Sequence, residues 1–292
     1  MTIRDCLGPL PAARPRARLP EGAWDMHFHV LGPQARFPYA ATRKYTPPDA
    51  PLAQSLALHD TLGIARGLVV HANTHGFDNA VDLDAVARSG GRYLAVVRLD
   101  GKATRESCRK LNEKGARGVR FAFNPQHGGT LDQAVFEHVL KCIEGLGWFV
   151  ELHFEGAAIP KLHRWLESIP ATLVIDHIGR VDVSAGVDDE PFQLLCELME
   201  RPTVWVKVSG ADRLTKKGPP YDDVAPFAQR MAEIAPDRVI WGSDWPHTGV
   251  FEAKRMPEDG ALVNFLLDTF DGKTLGRIMV ENPKRLLEGN AR

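Results

Sequence analysis

The sequence predicts an α/β protein folded as a (β/α)8 TIM barrel with a long loop after its first strand. Three observations lead there. Eight short runs rich in Val, Ile and aromatic residues recur along the 292 residues, and none is longer than a strand. Helical patterns with apolar spacing of about 3.6 lie between them. From the second run onward, strand-to-strand offsets are about 23–35 residues, the length of a strand plus a crossover helix. Alternating units in this number argue for a parallel sheet with helices outside, and eight can close into a barrel. The competing doubly wound sheet would show a Gly-rich phosphate loop after its first strand, and HFHVLGPQ, beginning at His27, is not one.

In chain order, residues 1–22 carry Arg4, Arg14, Arg16 and Arg18 but no apolar core of signal-peptide type. They read as an irregular N-terminal arm, followed by one barrel domain over 23–292. The expected strands are Ala23–Val30, Arg66–Ala72, Tyr93–Asp100, Ala116–Phe123, Trp148–Glu155, Ala171–Ile178, Thr203–Gly210 and Arg238–Trp245. Helical patterns cover Leu52–Leu62, Ala80–Ser89, Arg105–Lys114, Leu131–Gly145, Phe192–Arg201 and Tyr221–Ala235. The gap between the first two strands holds PYAATRKYTPPDAP (Pro38–Pro51), a segment placed to lie over the barrel mouth or to run off as a surface excursion.

Composition removes several classes of function. Apolar residues make up 44% and charged residues 25%, which excludes a disordered or low-complexity chain. The 36 Lys+Arg nearly cancel the 37 Asp+Glu, for a formal charge of -1, so no global basic field exists to hold nucleic acid. No stretch approaches ~18 consecutive apolar residues, so no membrane span is expected. Cys6, Cys108, Cys142 and Cys196 have no CxxC spacing and read as reduced thiols of a cytoplasmic protein.

In such a barrel the chemistry sits at the C-terminal edge of the strands, and titratable residues gather there. His27 and His29 on the first strand share a face, because side chains alternate with a period of two. Two imidazoles there can hold a metal or donate to an oxyanion. Arg117 and Arg120 mark the fourth strand. A guanidinium aimed into the mouth needs an anion, either a substrate carboxylate or a structural Asp or Glu. Glu151 and His153 follow on the fifth strand, Asp176 and His177 on the sixth, Lys207 and Ser209 on the seventh with Arg213 beyond, and Asp244 on the eighth. His59, His138 and His163 fall on helices and are expected to be solvated. His71 and His75 flank the end of the second strand, and His247 is placed to orient Asp244.

The pattern HxH, single histidines on strands five and six, and Asp on strand eight resembles the amidohydrolase superfamily. The strings DMHFHVLGP with FPY, VIDHIGR and VIWGSDWPH resemble its branch of 2-pyrone-4,6-dicarboxylate lactonase and related lactone hydrolases, from about Trp24 to Pro283. The resemblance implies that Asp244 is the general base on the attacking water. It implies that His27, His29 and His177 surround the lactone carbonyl, that Arg120 and Arg213 grip substrate carboxylates, and that Tyr45 closes over the ring. Two departures matter. Where the family has a further arginine, this chain has the neutral Gln126 in the vicinity, and where it has a tyrosine on strand five, this chain has His153. His153 completes the ligand set of metal-using superfamily members: His27, His29, His153 and Asp244, suited to one divalent metal such as Zn²⁺. The metal-free alternative keeps His153 as a hydrogen-bond donor to substrate. The expected activity is opening of an acidic lactone, such as 2-pyrone-4,6-dicarboxylate or a muconolactone-type compound. The rivals are a metal-dependent decarboxylase of an aromatic or unsaturated acid, a sugar-acid lactonase and a non-catalytic binding barrel.

Overall fold

The computed structural model describes residues 3–123 and 131–289. Gln126 therefore lies outside the described residues. Eight parallel strands stand in chain order: β1 (Trp24–Phe28), β2 (Arg66–Val70), β3 (Tyr93–Val97), β4 (Ala116–Ala122), β5 (Phe149–His153), β6 (Leu173–Ile175), β7 (Val204–Lys207) and β8 (Val239–Ile240). Each lies inside the run expected of it, shorter because the polar ends of the runs leave the ladder to become loops. Helices α1 (Leu52–Leu62), α2 (Ala80–Arg88), α3 (Arg105–Glu113), α4 (Gln133–Ile143), α5 (Ile159–Ser168), α6 (Glu190–Met199), α7 (Ala225–Ile234) and α8 (Asp259–Thr269) follow the strands in turn. No helix among the described residues is long and apolar enough to cross a membrane. The four cysteines form no disulfide.

The ring closes between β1 and the segment after β8. Met26 N donates to Trp241 O (2.9 Å), Asp244 N to His27 O (2.7 Å) and His29 N to Trp245 O (2.8 Å). A side chain at Gly242 would place its Cβ 2.3 Å from His27 N, so only glycine permits this approach. Asp25 ties the seam. Its Oδ1 accepts from His27 N (2.9 Å) and Ser243 N (3.0 Å), and its Oδ2 accepts from Ser243 Oγ (2.5 Å).

Alternation along β1 is broken by a bulge. Asp25 pairs with Gly67 and Phe28 with Val69, three residues against two, so the strand changes face midway. Trp24 and Met26 join Leu68, Val70, Val96 and Phe149 in one buried apolar cluster. Phe28 instead packs against His59 and Tyr93 on the helix side. The bulge lets both Met26 and the pair His27 and His29 serve the interior, which strict alternation would forbid.

The N-terminal arm is irregular apart from Arg4–Asp5, which pair in parallel with Tyr45–Thr46. The arm thus lies against the long first loop. His59, expected to be solvated, is fully buried: Nε2 is 3.2 Å from Asp25 Oδ2 and Nδ1 is 2.8 Å from Tyr93 Oη. The buried Asp25 carboxylate needs a partner, and the last turn of α1 supplies it. His138 is exposed as expected, and His163 is half-buried beside Glu167 and Glu197.

Candidate active site

Above the apolar floor, the same alternation that buries Phe149, Val174 and Trp205 turns Glu151, Asp176 and Lys207 inward. They form a buried ionic layer with Arg120 and His27. Arg120 Nε is 3.2 Å from Glu151 Oε1, and its Nη2 is 2.9 Å from Asp176 Oδ2. Lys207 Nζ is 2.5 Å from Glu151 Oε2 and 3.3 Å from Asp176 Oδ1. Burial and the adjacent Asp176 charge push Glu151 up to about 7. Burial acts in the same sense on Asp176, but Lys207, His27 and Arg120 outweigh it and hold Asp176 well below the usual carboxylate range.

A further layer toward the C-terminal edge is built around Asp244. Its Oδ1 lies 3.3 Å from His29 Nε2, 3.6 Å from His27 Nε2 and 3.9 Å from His177 Nε2. Its Oδ2 receives Arg213 Nε at 3.1 Å and Nη2 at 3.0 Å. Burial opposes ionisation, yet Arg213, His177, His29 and His27 hold the carboxyl well below its ordinary range. Burial lowers His177 to about 4, so its imidazole is neutral near pH 7. Burial and then Lys207 lower His27 in the same way. Asp244 (φ 61°) and His177 (φ 52°) both adopt left-handed backbone conformations, strain of a kind that concentrates at functional sites. Gly210, itself at φ +70°, passes so close beneath His177 that a Cβ would lie 3.0 Å from the ring.

Second contacts fix the rings. His29 Nδ1 is 2.7 Å from Val70 O, and a carbonyl only accepts, so Nδ1 donates there and Nε2 faces Asp244. His177 Nδ1 is 2.8 Å from Ser209 Oγ. His247 does not touch Asp244 by its ring. It pairs with Asp259 of α8 at 3.1 Å and anchors the loop after β8. His71 is likewise structural, with Nδ1 2.7 Å from Asp82 Oδ2 and Nε2 3.0 Å from Gly76 O. His75 is buried against Tyr39 and Pro38 O.

These groups open onto a small cavity whose walls include His29, Tyr45, Arg120, His153, Arg213 and Asp244. The expected site residues that lie within the described residues are all brought to this one place. His27 lies directly beneath, without exposure. Tyr45 is held by a hydrogen bond from its hydroxyl to Thr248 Oγ1 (3.0 Å). Both arginines expected to meet an external anion already have internal ones, Arg120 with two carboxylates and Arg213 with Asp244 and Asp212. The sequence offered no signal for Ala72, Asn73 and Thr248, which also line the cavity. Two groups of three residues bring their ligand atoms within 4.8 Å of one another, a spacing that could hold a metal ion: His27, His177 and Asp244, and His27, Glu151 and Asp176. His29 and His153, expected as ligands, belong to neither.

Comparison with known proteins agrees with this architecture. The chain is 50% identical to 4-sulfomuconolactone hydrolase of Hydrogenophaga intermedia, over 96% of this chain and 94% of that one. It is 41% identical to 2-pyrone-4,6-dicarboxylate hydrolase of Comamonas testosteroni, over 94% and 92%. Among solved structures, it superposes with a TM-score of 0.79 at 27% identity on a probable 2-pyrone-4,6-dicarboxylic acid hydrolase from Acinetobacter baumannii with citric acid bound, covering 91% of this chain and 99% of that one. A family model described as amidohydrolase matches residues 24–289. That span takes in every strand of the barrel and every side chain around Asp244, and the chain belongs to the amidohydrolase family.

Proposed function

We propose that the protein hydrolyses the ring ester of a small lactone bearing at least one acidic group, with Asp244 as the base that activates water. The observation that carries this reading is the convergence of three imidazole nitrogens on one carboxylate oxygen, in a cavity that also holds two guanidiniums. The names of the relatives at 50% and 41% identity, both lactone hydrolases, support it. The citric acid in the Acinetobacter structure supports an acidic ligand.

Arg213 engages Oδ2, so Oδ1 is the working oxygen of Asp244. A water between Oδ1 and the lactone carbonyl loses its proton to Oδ1 as it attacks. The proton held on Oδ1 then passes to the leaving oxygen, with His29 Nε2 3.3 Å from Oδ1 to orient the carboxyl. His27 and His177 flank the carbonyl and donate to the developing oxyanion. Arg120 and Arg213 present guanidinium edges to the cavity for the substrate's acidic group, with Tyr45 and His153 on its walls. Gln126 is proposed to contact substrate in place of the family's further arginine.

We infer that the site works without zinc, although His27, His177 and Asp244 are spaced to hold an ion. The group of His27, Glu151 and Asp176 already surrounds the Lys207 ammonium. Asp244, common to the other group and to the expected quartet, carries the Arg213 guanidinium. A divalent cation would sit against two fixed positive charges. The reaction is therefore written without a metal. Metal analysis of protein purified without chelator should find zinc well below one equivalent, and chelation should leave turnover unchanged. One equivalent of zinc, with activity lost on chelation, would refute the metal-free scheme.

The function itself is tested with 2-pyrone-4,6-dicarboxylate and a muconolactone in ¹⁸O-labelled water. One acid should be released per turnover, with label in the new carboxylate. Release of CO₂ instead would establish the decarboxylase.

A further inference from the structure

We propose that Lys207 is a positioning residue: its buried ammonium fixes His27 as the tautomer with the proton on Nε2, the ring nitrogen that faces Asp244. The consequence for rate rests on the lactone-hydrolase reading, whereas the assignment of the proton does not.

Lys207 ends β7 and is fully buried. Its Nζ is 3.0 Å from His27 Nδ1. An ammonium has three protons and no lone pair, so Nδ1 can only accept. A neutral imidazole has a single N–H, which then resides on Nε2. The competing arrangement would have Nδ1 donate to Asp176 Oδ1, which is 3.2 Å away, slightly farther than Lys207 Nζ. It would also set an N–H of His27 against the Lys207 donors at 3.0 Å. Glu151 and Asp176 make the first arrangement durable, because they hold the ammonium in place from its other sides. Burial and the Lys207 charge both keep the ring neutral.

At the other end of the ring, Nε2 is buried and has no hydrogen-bond partner among the described residues. Asp244 Oδ1, at 3.6 Å, is beyond hydrogen-bonding reach. A buried N–H left unpaired is unusual and marks a place where an external acceptor completes the structure. The lactone carbonyl oxygen, becoming an oxyanion on attack, is such an acceptor. No proton is transferred by Lys207 and no bond changes at it. Its whole effect passes through His27, which it turns into a fixed donor with no lone pair toward the cavity.

Long-range ¹H–¹⁵N spectra of the full chain labelled at histidine nitrogens test the assignment. The His27 signals are identified by their loss in His27→Gln. The expected wild-type pattern is an unprotonated Nδ1 and a protonated Nε2 across pH 6–8, and a protonated Nδ1 would overturn the proposal. The variant Lys207→Met with Glu151→Gln removes the ammonium together with its nearest carboxylate, which limits the burial of unpaired charge. In it the His27 proton should move to Nδ1, toward Asp176. Activity toward an acidic lactone should fall about 10²-fold in kcat with KM changed by less than about threefold. A His27 still protonated at Nε2 in that variant would remove Lys207 from its role. Lys207→Arg, which keeps a cationic donor, should retain the wild-type pattern; should the double variant fail to fold, loss of the Nε2 proton in Lys207→Arg would count against the proposal. If wild-type protein opens no acidic lactone, the functional reading fails while the spectra still decide the tautomer.

Discussion

Replacing Asp244 by Asn tests the catalytic scheme at one atom. The carboxylate is buried, with Oδ2 on Arg213 and Oδ1 facing the three imidazoles. Asn keeps the volume and leaves an oxygen for Arg213, but it cannot take a proton from water. One acid–base group contributes roughly 10²–10⁴-fold. Asp244 is the sole carboxylate lining the cavity among the described residues, so no neighbour can replace it, and kcat should fall at least ~10³-fold. That corresponds to about 4 kcal/mol of transition-state stabilisation. Folding should survive, because Arg213 keeps Asp212 at 3.4 Å as a second anion. The stability loss should stay under about 3 kcal/mol, a fall in Tm of roughly 5–10 °C. Lactone consumption and acid release measure the first effect, and thermal unfolding by circular dichroism the second. A folded Asp244→Asn enzyme within about tenfold of wild-type kcat would eliminate Asp244 as the base.

Three further outcomes are expected. His177 is depressed from 6.5 to about 4 in the folded protein, so between those values the unfolded chain binds one more proton. Its contribution to stability is complete above pH ~6.5 and is lost as pH falls toward 4; His177→Gln should flatten the unfolding free energy measured by urea titration across that window, and an unchanged slope would contradict a neutral buried ring. Gly210→Ala should displace His177, because its Cβ would meet the ring at 3.0 Å in a left-handed backbone; kcat should drop about 10–100-fold while the far-ultraviolet spectrum is unchanged. Arg120→Met leaves Glu151 and Asp176 with Lys207 as their remaining fixed cation and should cost about 3–5 kcal/mol of stability by denaturant titration.

Much of the barrel was legible because its signals are local. Periodicity placed eight strands and most helices within a few residues of their positions, and the period of two put Glu151, His153 and Lys207 on the inner wall. What the sequence hid was pairing across the lumen. Arg120 and Arg213 look from the sequence like anchors for an external anion, and nothing local says that Glu151, Asp176 and Asp244 already meet them. His59 was misjudged for the same reason, since its partner Asp25 is 34 residues away. The bulge in β1 is equally invisible: a register shift arises from the neighbouring strand, not from the residues that bulge. The metal expectation finds a group spaced to hold an ion, His27, His177 and Asp244, but not the expected ligands His29 and His153, whose distances to it depend on the folded lumen.

The seam tied by Asp25 joins the first barrel strand to the segment after the last, and the proposed catalytic residues straddle it. His27 and His29 are made early in synthesis, and Asp244 more than two hundred residues later. A chain growing off the ribosome therefore holds no competent centre until its last strand has emerged and docked beside its first, a contact of very high sequence separation and thus slow to form. On the proposed catalytic scheme, hydrolytic power arrives only with the completed ring.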